Sequence, residues 1–167
     1  MTESIALWLR RLASPHRPAT PQTGGRRAGA LALRLTCVAL LAWIGAVHLH
    51  LWLEGYRQIP TDGPLFLLDA VAGLALGALL LVWGAPLTGL VAAGYTAGTL
   101  TALLISLSVG LFGFRESISA SFVTQSVAIE SITVLALLSW TALVTAHRRG
   151  GLPVRRRPPA PQMSRGR

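Results

Sequence analysis

Apolar residues run almost unbroken through four stretches of this chain. The first, residues 35–53, carries no formal charge and gives way to polar groups in the segment VHLHLWLEGYR, residues 47–57. At about 1.5 Å of rise per residue, a run of that length crosses a hydrocarbon layer of about 30 Å, so it predicts a transmembrane helix. Residues 64–83 form a second run, broken only by Asp69 and opened by Pro64. Proline suits the first turn of a helix, where no N–H donor is needed. The third run, 87–112, follows the tight connection Gly84-Ala85-Pro86. The fourth, 122–146, is interrupted by Glu130 and preceded by Ser117, Ser119 and Ser121, which are candidate caps for its start. The pattern predicts an all-α integral membrane four-helix bundle over residues 29–147.

Composition points the same way. Of 167 residues, 52% are hydrophobic and 13% charged, and the mean hydropathy of +0.56 lies outside the soluble range. The net charge of +9 comes from arginine alone, since the chain has no lysine. Six arginines lie at or before Arg34 and seven at or after Arg148, whereas the segment 54–62 carries one arginine against two acids and Arg115-Glu116 is balanced. Basic residues flanking spans stay on the cytoplasmic side, so both termini are expected inside a plasma membrane and the number of spans even. The charge sits in tails rather than on a folded face with base-reading groups, which argues against nucleic acid as a partner. The expected partners are membrane lipids, with anionic headgroups at the basic tails.

Within the tail of residues 1–28, ESIALWLRRLAS places Ile5, Trp8, Leu9 and Leu12 on one helical face, a pattern suited to a short helix lying on the inner leaflet. Residues 148–167 are rich in Arg and Pro and are expected to stay disordered. The arginine pairs before the first run resemble an export signal, but that run is longer than a signal core and ends in bulky residues, so it reads as an uncleaved span. The lone Cys37 reads as a small buried hydrophobe. Arg34, in the first turn of the first span, reads as an anchor extending back to the cytoplasmic headgroups.

Small residues are placed where helices would meet. Gly94, Gly98, Ala102, Ser106 and Gly110 recur every fourth residue in the third span, and Gly73 and Gly77 share a face with Asp69 in the second. Close backbone approach through such stripes drives helix association in lipid, either within one bundle or in a homodimer.

Four ionisable groups fall in the outer half of this arrangement: His48, His50, Asp69 and Glu130. Intramembrane charge of this kind marks function by default. His48 and His50, two apart on a helix, point about 200° away from each other, so they cannot chelate one metal together. His50 and Glu54, four apart, share a face. One histidine with Asp69 and Glu130 makes a donor set for a divalent metal, though no HExxH, CxxC or ExxH spacing accompanies it. Haem lacks a second axial histidine nearby. Glu130 with Ser126 and Thr133 forms a polar strip suited to handling protons. Arg57 and Arg115 end the outer loops, where they read as interfacial anchors beside Tyr56 and Phe114; the alternative is a bridge to Asp62, Asp69 or Glu116 that closes a lid over the cluster, with Glu54 in the same set of outer-loop pairing residues. No nucleophile stands beside a base and no phosphate loop is visible, so no catalytic residue is assigned.

The segments HLHLWLEGYRQIPTDGPLFLLDA and VGLFGFRE resemble those of a group of small four-helix integral membrane proteins from actinobacteria, over about residues 30–147; a looser similarity is to DoxX-like four-helix proteins. The resemblance implies a plasma-membrane bundle with the HLHLW and GPLFLL segments facing outside, and it carries no catalytic residue over. Two functional expectations follow. One is a structural or accessory bundle acting through helix packing or contact with a membrane-protein partner, without a cofactor. The other is a metal-binding or proton-conducting protein that uses the His/Asp/Glu cluster.

Overall fold

The computed structural model describes residues 2–15 and 24–150, which contain five α-helices and no strands. They are α1 (Thr2–Ala13), α2 (Gly24–Glu54), α3 (Asp62–Trp83), α4 (Pro86–Ser108) and α5 (Val123–Gly150). The last four are long and apolar enough to cross a membrane: Arg27–Glu54, Asp62–Trp83, Pro86–Ser108 and Val123–Ala146. Helix α2 packs on α3 and on α5, α4 packs on α5, and a smaller α3–α4 contact closes the ring. This is the four-helix bundle that the hydropathy predicts.

Its surface and core are arranged as lipid requires. Leu68, Val71, Val82, Val91, Leu135 and Leu138 point outward, whereas Gly45, Gly73, Gly77, Ala70, Ala92 and Ala93 are buried. Lipid tails are as apolar as leucine, so helices gain by bringing backbones together rather than by hiding large side chains. Gly45 and Gly73 mark the closest approach. A Cβ on Gly45 would stand 2.9 Å from the Ala70 carbonyl oxygen, and one on Gly73 would stand 3.2 Å from the Gly45 Cα and the Leu41 carbonyl.

The half of the bundle at the α3–α4 connection is solidly apolar. Cys37, Leu41, Leu80, Ala92, Leu137, Trp140 and Val144 form its core, with Trp140 the largest side chain enclosed there. Helix α3 stops at Gly84, which adopts left-handed backbone (φ 56°) and returns its N–H to the Leu80 carbonyl. Arg34 completes that terminus instead of reaching only for headgroups: Nε donates to the Leu80 carbonyl at 2.9 Å and Nη2 to that of Leu81 at 2.6 Å. Helix α1 lies against α4 at this end. Leu12 is buried, the Trp83 indole donates to the Ala13 carbonyl at 2.7 Å, and Ile5, Trp8 and Leu9 remain exposed.

Three boundaries differ from the hydropathy by four residues or more. Helix α5 runs to Gly150 rather than to residue 146, into the tail 148–167 expected to be disordered, the rest of which lies outside the described residues. Helix α2 starts at Gly24 rather than at residue 35, so about three arginine-bearing turns precede the apolar run. Helix α4 ends at Ser108, four residues before the predicted end at 112. Leu111 and Phe114 instead exchange backbone hydrogen bonds of 2.7 and 2.8 Å across Phe112 (φ 50°) and Gly113 (φ 85°). Two consecutive positive φ values make the two-residue turn that joins antiparallel strands, and that turn cannot continue a helix. Ser117, Ser119 and Ser121 do not cap α5 among the described hydrogen bonds. The Ser117 and Ser119 hydroxyls bond to each other at 2.8 Å.

Candidate functional site

The opposite half of the bundle, at the Tyr56–Gln58 turn and the 109–122 loop, is built differently. It encloses a cavity of about 110 Å³ lined from all four spanning helices and both loops. Four of the chain's six acids line it: Asp62 and Asp69 from α3, Glu116 from the loop and Glu130 from α5. His48, Tyr56, Phe66, Thr99, Ser106, Phe114, Ser121 and Ser126 share the wall.

Helical spacing puts these groups there. Asp62, Phe66 and Asp69 fall at i, i+4 and i+7, one face of α3, and Gly73 and Gly77 extend that face to where it meets α2. Asp69 is held beside His48, with Oδ2 3.9 Å from Nε2. That distance exceeds hydrogen-bond reach, so the two interact only as an ion pair when the ring is protonated. The His48 Nδ1 lies 2.9 Å from the Ile44 carbonyl, and since a carbonyl only accepts, Nδ1 carries the hydrogen. The Asp69 main-chain carbonyl receives the Tyr95 hydroxyl at 2.7 Å, which ties α4 to α3.

Glu130 is 1% exposed, and its Oε2 accepts from the Thr99 hydroxyl at 3.0 Å. Thr133 gives its hydroxyl to the Ile129 carbonyl instead of extending a polar strip from Glu130. Ser126 lines the cavity close to Glu130 and, with His48, also borders a smaller pocket towards Trp43. At the rim, Glu116 accepts from the Tyr56 hydroxyl at 2.7 Å and from the Ser117 N–H at 2.9 Å. Burial, together with the hydrogen bond and negative charge of Glu116, pushes the Tyr56 phenol well above its ordinary range, so it remains a donor.

Several expected groupings are not found. His50 is exposed and packs edge-on against Phe122, with centroids 5.4 Å apart, because its position two residues from His48 turns it out of the cavity. His48, His50, Asp69 and Glu130 therefore do not form one donor set. Among the described residues no group of three or more His, Cys, Asp or Glu side chains is placed to hold a metal ion. Glu54, Arg57 and Arg115 are exposed, and the pairing expected of them with Glu116 is replaced by Tyr56. The only ion pair among the described residues is His48–Asp69.

The row from Gly94 to Gly110 does not act as one packing stripe. A spacing of four drifts about 40° per step on a helix of 3.6 residues per turn. Gly94 and Gly98 consequently face outward, where an added Cβ would find nothing within 4 Å, while Ala102 and Ser106 turn in to line the cavity. Gly110 (φ 89°) lies beyond the helix. Sequence reasoning overlooked Gly45 as a packing position and Phe66 as part of the wall, and it gave Asp62 and Tyr56 only outer-loop roles beside the arginines. The i, i+4, i+7 spacing of Asp62, Phe66 and Asp69 was the available signal.

Comparison with known proteins finds no matching family model, no matching curated protein and no matching solved structure.

Proposed function

We propose that this chain is a multi-pass plasma-membrane protein that binds a cation in the cavity at the loop end of its bundle. The observation that carries the reading is the gathering of four carboxyl groups around one cavity that contains a single histidine and no arginine. Carboxyl groups held together in a low-dielectric region repel one another when charged, and either protons or a bound cation relieve that repulsion. The arginine-rich tails belong in the cytoplasm by the positive-inside rule, so the cavity opens to the outside. Helix α1, with Ile5, Trp8 and Leu9 exposed on its apolar side, rests on the inner leaflet among anionic headgroups.

The test is thermal unfolding of the detergent-purified full chain, followed by circular dichroism at constant ionic strength, with sodium, magnesium or a small alkylammonium chloride. A ligand at a hundredfold excess over its Kd stabilises by about 2.7 kcal/mol, or about 5–10 °C for a chain of this size. At least one of these cations should raise the midpoint of the wild type by that order, and Asp69→Asn with Glu130→Gln should remove the effect. Insensitivity to every cation would defeat the proposal. It would favour instead a structural bundle in which Tyr95–Asp69 and Thr99–Glu130 join α4 to α3 and α5.

A further inference from the structure

Charge is only part of the cavity wall. Tyr56 and Phe66 stack with centroids 4.4 Å apart and planes at 30°, and Phe114 stands edge-on to Tyr56 at 6.0 Å and 74°. Both phenylalanines line the cavity beside the carboxyl groups. Asp62 supplies a second, independent feature. It is 7% exposed, lines the same cavity, and its Oδ2 is buried without a hydrogen-bond partner. The N-terminus of α3 offers that carboxylate a favourable field, but a buried acceptor without a donor still forfeits the hydrogen bonds it makes in water. A ligand that donates a hydrogen bond recovers that loss.

On the cation-binding reading above, we propose that the ligand is a small protonated alkylamine, its ammonium directed to Asp62 at the cavity wall and its alkyl part lying against Tyr56, Phe66 and Phe114. Each alternative cation fails on one feature. A divalent metal needs several converging donors, and no such group exists among the described residues. A hydrated alkali ion gains little from an aromatic wall. A quaternary ammonium ion has favourable contacts with the rings but no N–H for Asp62. Size sets a further bound. The cavity of about 110 Å³ is smaller than the ~150 Å³ that admits benzene, which suits an amine of about four to six heavy atoms.

Isobutylammonium is a suitable probe, since alkylamines, like the lysine side chain with its pKa of about 10.4, are protonated at pH 7. Isothermal titration calorimetry on the detergent-purified full chain should give saturable binding of one isobutylammonium per chain. Tetramethylammonium, which lacks the N–H, and isobutanol, which lacks the charge, should each bind about tenfold or more weakly than the probe. Asp62→Asn and Phe66→Leu should each weaken isobutylammonium about tenfold. The ligand series on the wild type decides the matter even where a variant does not fold. Absence of isobutylammonium binding, binding equalled by isobutanol or tetramethylammonium, or binding unchanged in both folded variants overturns the assignment. Saturable binding of sodium or magnesium that disappears in Glu130→Gln, with none of isobutylammonium, overturns the amine alone and leaves the cation reading standing. If no cation binds, both fall.

Discussion

Replacing Gly45 by alanine should destabilise the bundle, while the same change at Gly98 should not. The new methyl at position 45 would meet the Ala70 carbonyl oxygen and Leu74 Cγ at 2.9 Å and the Leu74 nitrogen at 3.1 Å. Ordinary contacts of this kind begin near 3.5 Å, so α2 and α3 must separate by about half an ångström. Two of the three obstructing atoms are backbone and cannot swing aside. Gaps of that size forfeit about a quarter of each dispersion contact, and overpacking of a well-filled interface costs about 1–3 kcal/mol. At Gly98 nothing lies within 4 Å of the added carbon, and alanine favours helix by up to about 1 kcal/mol. Denaturant unfolding of the two variants in mixed micelles, dilute enough to keep the chain monomeric, should give a loss of about 1–3 kcal/mol for Gly45→Ala and no loss for Gly98→Ala. Equal losses, or a larger loss at Gly98, would refute the assignment of the close helix approach to the α2–α3 face.

Arg34→Gln should lower stability by about 1.5–3 kcal/mol in the same assay, because a charged donor is removed from the Leu80 and Leu81 carbonyls; Arg34→Lys should restore only part, since a single ammonium cannot reproduce the paired geometry. The raised Tyr56 phenol predicts stability that is fully present below the ordinary phenol value of about 10 and declines as pH rises above it, because the folded state there holds a proton that the unfolded chain has lost. Tyr56→Phe should make that decline shallower, measured by unfolding between about pH 9 and 11. Cys37, with no exposed surface, should react with a water-soluble maleimide only after unfolding; rapid labelling of the native protein would contradict the enclosed core around Trp140.

How much of the site was legible follows from how each residue gets there. Asp69 and Glu130 were conspicuous because a charge inside an apolar run is rare, and both line the cavity. His48 could be separated from His50 by the helical period alone, although not which of the two faces inward. Asp62 was within reach of the i, i+4, i+7 spacing on α3, but Tyr56 and Glu116 lie in loops, where charged and polar residues are ordinary, so local sequence gave no reason to join those two. The bond from Tyr56 to Glu116 joins residues 60 apart in the chain.

The sequence by itself determined the four spans, their number and their apolar exterior, because crossing a hydrocarbon layer demands a length and polarity that each segment must satisfy alone. It also held the arginine asymmetry from which orientation is inferred. Only the tertiary structure decided which glycines meet another helix, that Arg34 ends α3, and that four acids share one cavity. Those outcomes depend on how each helix is rotated about its axis. In lipid that rotation is set by close packing between helices, since the hydrophobic effect does not distinguish an inward leucine from an outward one.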